Sequence, residues 1–318
     1  MLSSSSFVGR SVLTWLDYSP EEIRYLLDLS GKVKAEGKSG VVSQRFKGKT
    51  IALLFEKRST RTRCAFETAF GEEGGYPVFL STDDIQLGAK ESLEDTAIVL
   101  GRMFSAIQFR GFKQHTAEVL AKYSGVPVYN GLTDLYHPTQ ALADIMTLEE
   151  SFGNSKGKKL CYTGNGQNNV ARSLMIICSK LGVHFSVICP PTLAPEAALV
   201  EKCQPLAASS GAKITVNQDF SELEGADAVY TDVWTSMGEE KKRDERIRML
   251  TPYQVNAGLM AKTGRSDSIF LHCLPAVKGE EVTADVIDGE QSRAWDQAEN
   301  RKHTIKAILL ATLGVISG

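Results

Sequence analysis

After Thr50 the stretch Thr50-Ile51-Ala52-Leu53-Leu54-Phe55 is continuously apolar, the pattern of a strand buried on both faces of a parallel sheet. Such strands need helical crossovers to cover them, and the chain supplies an alternation. Upstream, Ser19-Pro20-Glu21-Glu22 opens a helix. Ser19 is placed to cap it, Pro20 suits the first helical position, and Glu22 completes a capping box; Ile23, Leu26, Leu27 and Leu29 follow, until Gly37 and Gly40 end it. A helix from about Thr60 to Gly74-Gly75 and a strand from Tyr76 to Leu80 come next. Leu93, Ala97, Leu100 and Phe104 mark a helical face, followed by a strand from Ala106 to Phe109, a helix from His115 to Tyr123 and a strand from Val126 to Tyr129.

A long helix from His137 to about Ser151 leads to a second series. Its strands are Lys159 to Tyr162, Phe185 to Ile188, Lys213 to Val216, Ala228 to Tyr230 and Ile269 to Leu271, and Ile305, Ile308, Leu309, Thr312 and Leu313 trace a final helix. The turn from Gly153 to Gly157 is the natural boundary. The expected architecture is α/β, with two domains that are each a mostly parallel sheet flanked by helices. Residues 1–150, with the C-terminal helix 292–318 packing back on them, form one domain and residues 151–291 the other. A chain of 318 residues suits two such cores, and ligands are expected at the carboxyl ends of the strands, in the cleft between the domains.

Charge narrows the function. Lys and Arg number 36 against 38 Asp and Glu, a formal net charge of −2, whereas a non-specific nucleic-acid binder needs a basic excess. Any anion site must be local. No apolar stretch approaches the roughly 20 residues that span a bilayer, and the serine-rich start carries no secretory pattern. The six cysteines form no CxxC pair and read as thiols in a reducing compartment, so a cytoplasmic enzyme without a zinc site or disulfide framework is expected.

The sharpest local signal is Phe55-Glu56-Lys57-Arg58-Ser59-Thr60-Arg61-Thr62-Arg63, where hydroxyls and the guanidinium groups of Arg58, Arg61 and Arg63 gather at a helix start. The free N–H groups and dipole there favour an anion, while arginines oppose the dipole unless an anion is present. Taken alone, the stretch also reads as a capped helix with exposed arginines; it is not a Walker A loop. Arg110, after the strand ending at Phe109, reads alone as a surface residue. In His137-Pro138-Thr139-Gln140, Pro138 opens a helix, His137 sits at its cap, and His137 and Gln140 share a face.

In the second half, Gly164-Asn165-Gly166-Gln167-Asn168-Asn169 resembles a dinucleotide turn but lacks the third glycine, and Cys189-Pro190-Pro191 stands where an acidic ribose ligand belongs. NAD binding is therefore disfavoured. Asp232-Val233-Trp234-Thr235-Ser236-Met237-Gly238 and His272-Cys273-Leu274-Pro275 end the last two strands. Cys273 by itself reads as a small buried hydrophobe as readily as a reactive thiol.

Together, Ser59-Thr60-Arg61-Thr62, Phe109-Arg110-Gly111, His137-Pro138-Thr139-Gln140, Asp232 to Gly238 and His272-Cys273-Leu274-Pro275 resemble the ornithine carbamoyltransferases, in the family's order and over essentially the whole chain. The resemblance implies a homo-oligomer, at minimum a trimer, acting on carbamoyl phosphate and L-ornithine with no metal or cofactor. It implies that Ser59, Thr60, Arg61, Thr62 and Arg110 hold the phosphate, joined by Gln86 from a neighbouring subunit. Arg61, His137 and Thr62 address the carbonyl oxygen, and Gln140 with the Cys273 and Leu274 carbonyls holds the carbamoyl NH₂, with Arg301 nearby. Asp232 pairs with the α-ammonium of ornithine, while Asn169, Ser236 and Met237 hold its amino-acid end.

The δ-amine then attacks the carbamoyl carbon and phosphate leaves. With a lysine-like pKa of about 10.4, only about one amine in a thousand is neutral at pH 7, so the site must select or create the neutral form. Asp232 and Cys273 are both candidates for that role. Another amine acceptor, such as putrescine or an acylated ornithine, is the alternative substrate. A nucleotide-dependent dehydrogenase built on the Gly164–Asn169 turn and a silent binding protein are rivals of another class. Asn165 departs from the aspartate found there in many family members.

Overall fold

A computed structural model describes residues 6–41, 43–81, 91–235 and 243–316. It forms two compact units, Met1–Met146 with Asn300–Gly318, and Thr147–Glu299.

The first unit begins with α1 (Pro20–Lys38), whose capping box is complete: Glu22 N–H donates to Ser19 Oγ at 3.2 Å and Ser19 N–H to the Glu22 carboxylate at 2.8 Å. There follow β1 (Thr50–Phe55), α2 (Thr60–Gly71), β2 (Tyr76–Ser81), α3 (Leu93–Met103), β3 (Ala106–Arg110), α4 (Gln114–Tyr123), β4 (Val128–Leu132) and α5 (Pro138–Phe152). The strands make one parallel sheet in the order β2-β1-β3-β4. One face packs Ala52, Leu54, Ile107, Phe109 and Val128 against Ala97 and Leu100 of α3 and Ala117 and Leu120 of α4. The order reverses beside β1, the topological switch at which open α/β sheets place their ligands. Phe55 and Arg110 are register partners there, so β1 and β3 end together.

Several strand limits differ from expectation, and two of them bear on the site. Arg110 is the last residue of β3 instead of lying beyond it. The fourth strand runs Val128–Leu132, later than Val126 to Tyr129: Pro127 has no N–H to give a ladder and only its carbonyl is used, by Ile107 N–H at 2.9 Å. The register slips between Phe109 and Arg110 because Gly131 is an extra residue opposite them. A Cβ on Gly131 would lie 2.5 Å from Gln108 Nε2 and 3.0 Å from a Thr62 methyl, so only glycine fits beneath the start of α2.

The second unit contains β5 (Lys159–Thr163), α6 (Asn169–Leu181), β6 (His184–Ile188), α7 (Ala197–Ser210), β7 (Ile214–Asn217), β8 (Ala228–Thr231), α8 (Arg243–Leu250), α9 (Ala257–Ala261), β9 (Ile269–His272) and α10 (Ala284–Ile287). Its sheet is parallel, ordered β7-β6-β5-β8-β9, with the switch at β5. Cys161, Val229 and Phe270 face one core, with Trp234, Leu250 and Val282; Tyr162 and Tyr230 stack on the other face, ring centroids 5.9 Å apart. Helix α11 (Ala294–Thr312) starts well before the apolar pattern at Ile305, because its first turns are polar and carry no hydrophobic stripe. Both units are therefore parallel sheets with crossover helices.

Candidate active site

In the first unit, Ser59 caps α2: its Oγ accepts from Thr62 N–H at 3.2 Å. Capping commits the Ser59 oxygen and turns the side chain of Thr62 inward, where it is fully buried. Thr62 Oγ1 accepts two guanidinium N–H bonds, from Arg110 and from Arg301 of α11, each at 3.1 Å. Arg110 also donates to the Gly131 carbonyl at 3.4 Å. A hydroxyl has two lone pairs and one proton, so with both lone pairs used Thr62 is left to donate.

His137 is buried at the start of α5, its carbonyl accepting from Gln140 and Ala141 N–H. Burial first, then the positive charges of Arg301, Arg110 and Arg61, hold its imidazole well below the ordinary histidine range. Neutral, it offers one N–H donor. Gln140 Nε2 donates to Asp144 Oδ1 at 2.7 Å, and because a carboxylate only accepts, this fixes the amide orientation. Gln140 Oε1 is buried with no hydrogen-bond partner among the described residues and is an acceptor suited to an NH₂ group.

The three arginines that begin α2 do not act together. Arg63 pairs with Glu67 at 2.9 Å and lies 3.8 Å over the Phe79 ring, and Arg58 is exposed. Only Arg61 belongs with His137, and Arg110 and Arg301 complete the positive set. Thr60, the first residue of α2, is exposed.

The second unit gathers another set at the carboxyl ends of β5, β8 and β9. Asp232 is buried, and its carboxylate accepts from Asn168 Nδ2 at 2.8 Å, Val233 N–H at 2.8 Å and the Cys273 thiol at 3.0 Å. Asn168 also caps α6, taking Val170 N–H at 2.7 Å. Sequence reasoning named its neighbour Asn169, the first residue of α6, and missed Asn168. The signal available was positional, since the residue before the helix both caps it and points along the strand ends.

Tyr162 of β5 is fully buried in the same region, and burial first, then the Asp232 charge, hold its phenol well above the usual range. Leu274 has a left-handed backbone, φ +59°, which costs a leucine about 1–2 kcal/mol. Asp232, His272 and Cys273 offer metal-binding atoms within 4.8 Å of one another. Both His272 nitrogens are already engaged, however: Nδ1 accepts Leu274 N–H at 2.8 Å and Nε2 faces Glu281 at 3.1 Å. Gln86, Ser236 and Met237 lie outside the described residues.

The first unit thus gathers guanidinium groups at its sheet switch and the second a hydrogen-bonded carboxylate at its strand ends. Residues 10–150 match the aspartate/ornithine carbamoyltransferase carbamoyl-P binding domain and residues 156–312 the Asp/Orn binding domain, so the chain belongs to the aspartate/ornithine carbamoyltransferase family. It is 67% identical over 306 residues to an ornithine carbamoyltransferase of Caldanaerobacter subterraneus subsp. tengcongensis, covering 96% of this chain and 98% of that one. To an ornithine carbamoyltransferase of Thermotoga maritima it is 61% identical over 311 residues, covering 98% and 99%. Among solved structures, ornithine carbamoyltransferase from Pyrococcus furiosus superposes with a TM-score of 0.94 at 44% identity, covering 98% of this chain and 99% of that one.

Proposed function

We propose that this chain transfers the carbamoyl group of carbamoyl phosphate to the δ-amine of L-ornithine, giving L-citrulline and phosphate through a tetrahedral intermediate. The observation that carries the reading is the positive set around Thr62: two guanidinium groups on one hydroxyl, beside a histidine kept neutral by burial and three arginines. A dianion and an oxyanion both need fixed donors, and losing one typically costs on the order of 3 kcal/mol in the barrier.

In this reading residues 1–150, with the helix 292–318, bind carbamoyl phosphate, and residues 151–291 bind ornithine. The α2 start (Ser59, Thr60, Arg61, Thr62) and Arg110 hold the phosphate. Arg61, His137 and the Thr62 O–H address the carbonyl oxygen. Gln140 Oε1 and the Cys273 and Leu274 carbonyls accept from the NH₂ group, with Arg301 steadying Thr62. Asp232 takes the α-ammonium, with Asn169, Ser236 and Met237 on the amino-acid end. Relatives bearing the name ornithine carbamoyltransferase favour ornithine over putrescine or an acylated ornithine as acceptor. The chemistry calls for no cofactor.

The active form is proposed to be a homo-oligomer, a trimer or a multiple of one, with Gln86 given to the neighbouring subunit's phosphate site. Support comes from β2, an edge strand, where Tyr76 is exposed beside the end of α3 with its exposed Ile98, Val99 and Met103. Thr50 joins these places, pairing with Tyr76 in the ladder and donating through Oγ1 to the Met103 carbonyl at 3.4 Å. A cytoplasmic location is part of the proposal. Among the described residues no helix is long and apolar enough to cross a membrane. The direct assay is citrulline formation with both substrates at millimolar levels, run beside putrescine and N-acetylornithine. Citrulline formed fastest from ornithine is expected, and no turnover removes the assignment.

A further inference from the structure

His272 and Glu281 are both fully buried, and the hydrogen bonds around them have only one consistent assignment. Leu274 N–H donates to His272 Nδ1 at 2.8 Å, so that nitrogen carries no proton. Nε2 therefore carries it and donates to Glu281 Oε1 at 3.1 Å. The same carboxylate oxygen accepts Val277 N–H at 2.7 Å, and the Glu281 carbonyl is tied to Val255 N–H at 2.9 Å. The backbone of His272 is pinned as well, its N–H donating to Gln297 Oε1 at 2.9 Å. Three of these bonds hold the segment that ends in the left-handed Leu274, and the two from Val277 and Val255 fix Glu281 itself; a left-handed leucine persists only where its surroundings over-determine it.

We propose that the buried Glu281–His272 pair is a positioning device for the transfer reaction, holding the Leu274 N–H and thereby the direction in which the Cys273 and Leu274 carbonyls point. Glu281 fixes the tautomer, and the tautomer leaves Nδ1 as the acceptor that the turn requires. Neither side chain touches substrate; each acts through the backbone of the two residues after His272. This rests on the reading that those carbonyls receive the carbamoyl NH₂ group.

The test is steady-state kinetics for carbamoyl phosphate with thermal unfolding, on His272→Asn and His272→Leu. The Asn amide oxygen takes the place of Nδ1 but does not reach Glu281, whereas Leu replaces neither nitrogen. Both lose the Glu281 link, so both are expected to unfold at similarly lowered temperatures. They are expected to part in activity: kcat/KM for carbamoyl phosphate stays within about fivefold of wild type for Asn and falls about 100-fold for Leu. His272→Gln, which reaches toward Glu281 but not the Leu274 N–H, is expected to fall like Leu and serves should Leu not fold. Equal losses for Asn and Gln, or wild-type kinetics for Leu or Gln, overturn the proposal. Arg110→Ala in the same series keeps the readings apart: its loss upholds the carbamoyl phosphate assignment whatever the His272 variants do, and its normal kinetics defeat that assignment instead.

Discussion

Arg110, at the end of a strand, and Arg301, on the last helix, donate to the same oxygen, Thr62 Oγ1, each at 3.1 Å, although 191 residues separate them in sequence. Two like charges brought to one buried hydroxyl are repulsive unless an anion completes the arrangement. Replacing Thr62 by Val removes the shared acceptor and the remaining O–H donor together. The expected result is a loss of about 100-fold in kcat/KM for carbamoyl phosphate, while Thr62→Ser keeps most of the activity. Equal activity of the Val and Ser variants would show that the hydroxyl is only structural.

Because burial and three arginines depress the His137 ionisation well below 6.5, the imidazole is neutral throughout the neutral range. With both substrates saturating, kcat is expected to show no break near pH 6.5 that His137→Asn removes. At low ornithine, the rate should instead rise about tenfold per pH unit between 7 and 9, as the neutral δ-amine becomes more abundant. An acid limb centred near 6.5 in wild type and absent from the variant contradicts the neutral assignment.

The Asp232 carboxylate accepts three hydrogen bonds, one of them from Asn168. Asp232→Ala is expected to raise the KM for ornithine by about 100-fold and to leave that for carbamoyl phosphate near wild type. Asn168→Ala removes one of the three bonds and the α6 cap, with an expected rise of about tenfold. An unchanged acceptor KM in Asp232→Ala removes that residue from its role.

Glu73 is buried between Arg45, at 2.6 Å, and Lys306 of the last helix, at 3.6 Å. Burial alone would raise its carboxyl, but the Arg45 hydrogen bond and the two positive charges outweigh that and hold it below the ordinary 4.5. A lowered folded value stabilises above 4.5 and is lost as pH falls through it. Glu73→Gln should therefore lower the unfolding midpoint at pH 7 by roughly 5 °C, with the gap to wild type closing below about pH 4. A gap of constant size at both pH values would mean that the charge is immaterial.

Short buried strands were legible because Thr50–Phe55 and its counterparts carry their burial in composition, and Ser19 to Glu22 spells out its own cap. Gly131 hid the true course of the fourth strand, since a bulge is set by the close approach of Gln108 and Thr62 and leaves no periodic mark. The C-terminal helix, expected over 292–318, runs from Ala294 to Thr312, although its first turns are polar. Within the site, Arg58, Arg61 and Arg63 look alike in sequence, and only packing against Phe79 and Glu67 tells Arg63 from Arg61. Asn168 and Asn169 look equally suited to cap α6 in sequence, and the helix start at Asn169 makes Asn168 the cap. Arg301 entered through the family resemblance alone, because nothing local to a helical arginine reports that Thr62 lies against it.

The central claim is that Arg61, Arg110, Arg301, Thr62 and His137 form the receptor for carbamoyl phosphate. Calorimetric titration of carbamoyl phosphate into ornithine-free protein tests it most directly. Wild type is expected to bind one molecule per chain and Arg110→Ala to bind at least 100-fold more weakly while keeping its circular dichroism; equal affinity in the two proteins contradicts the claim.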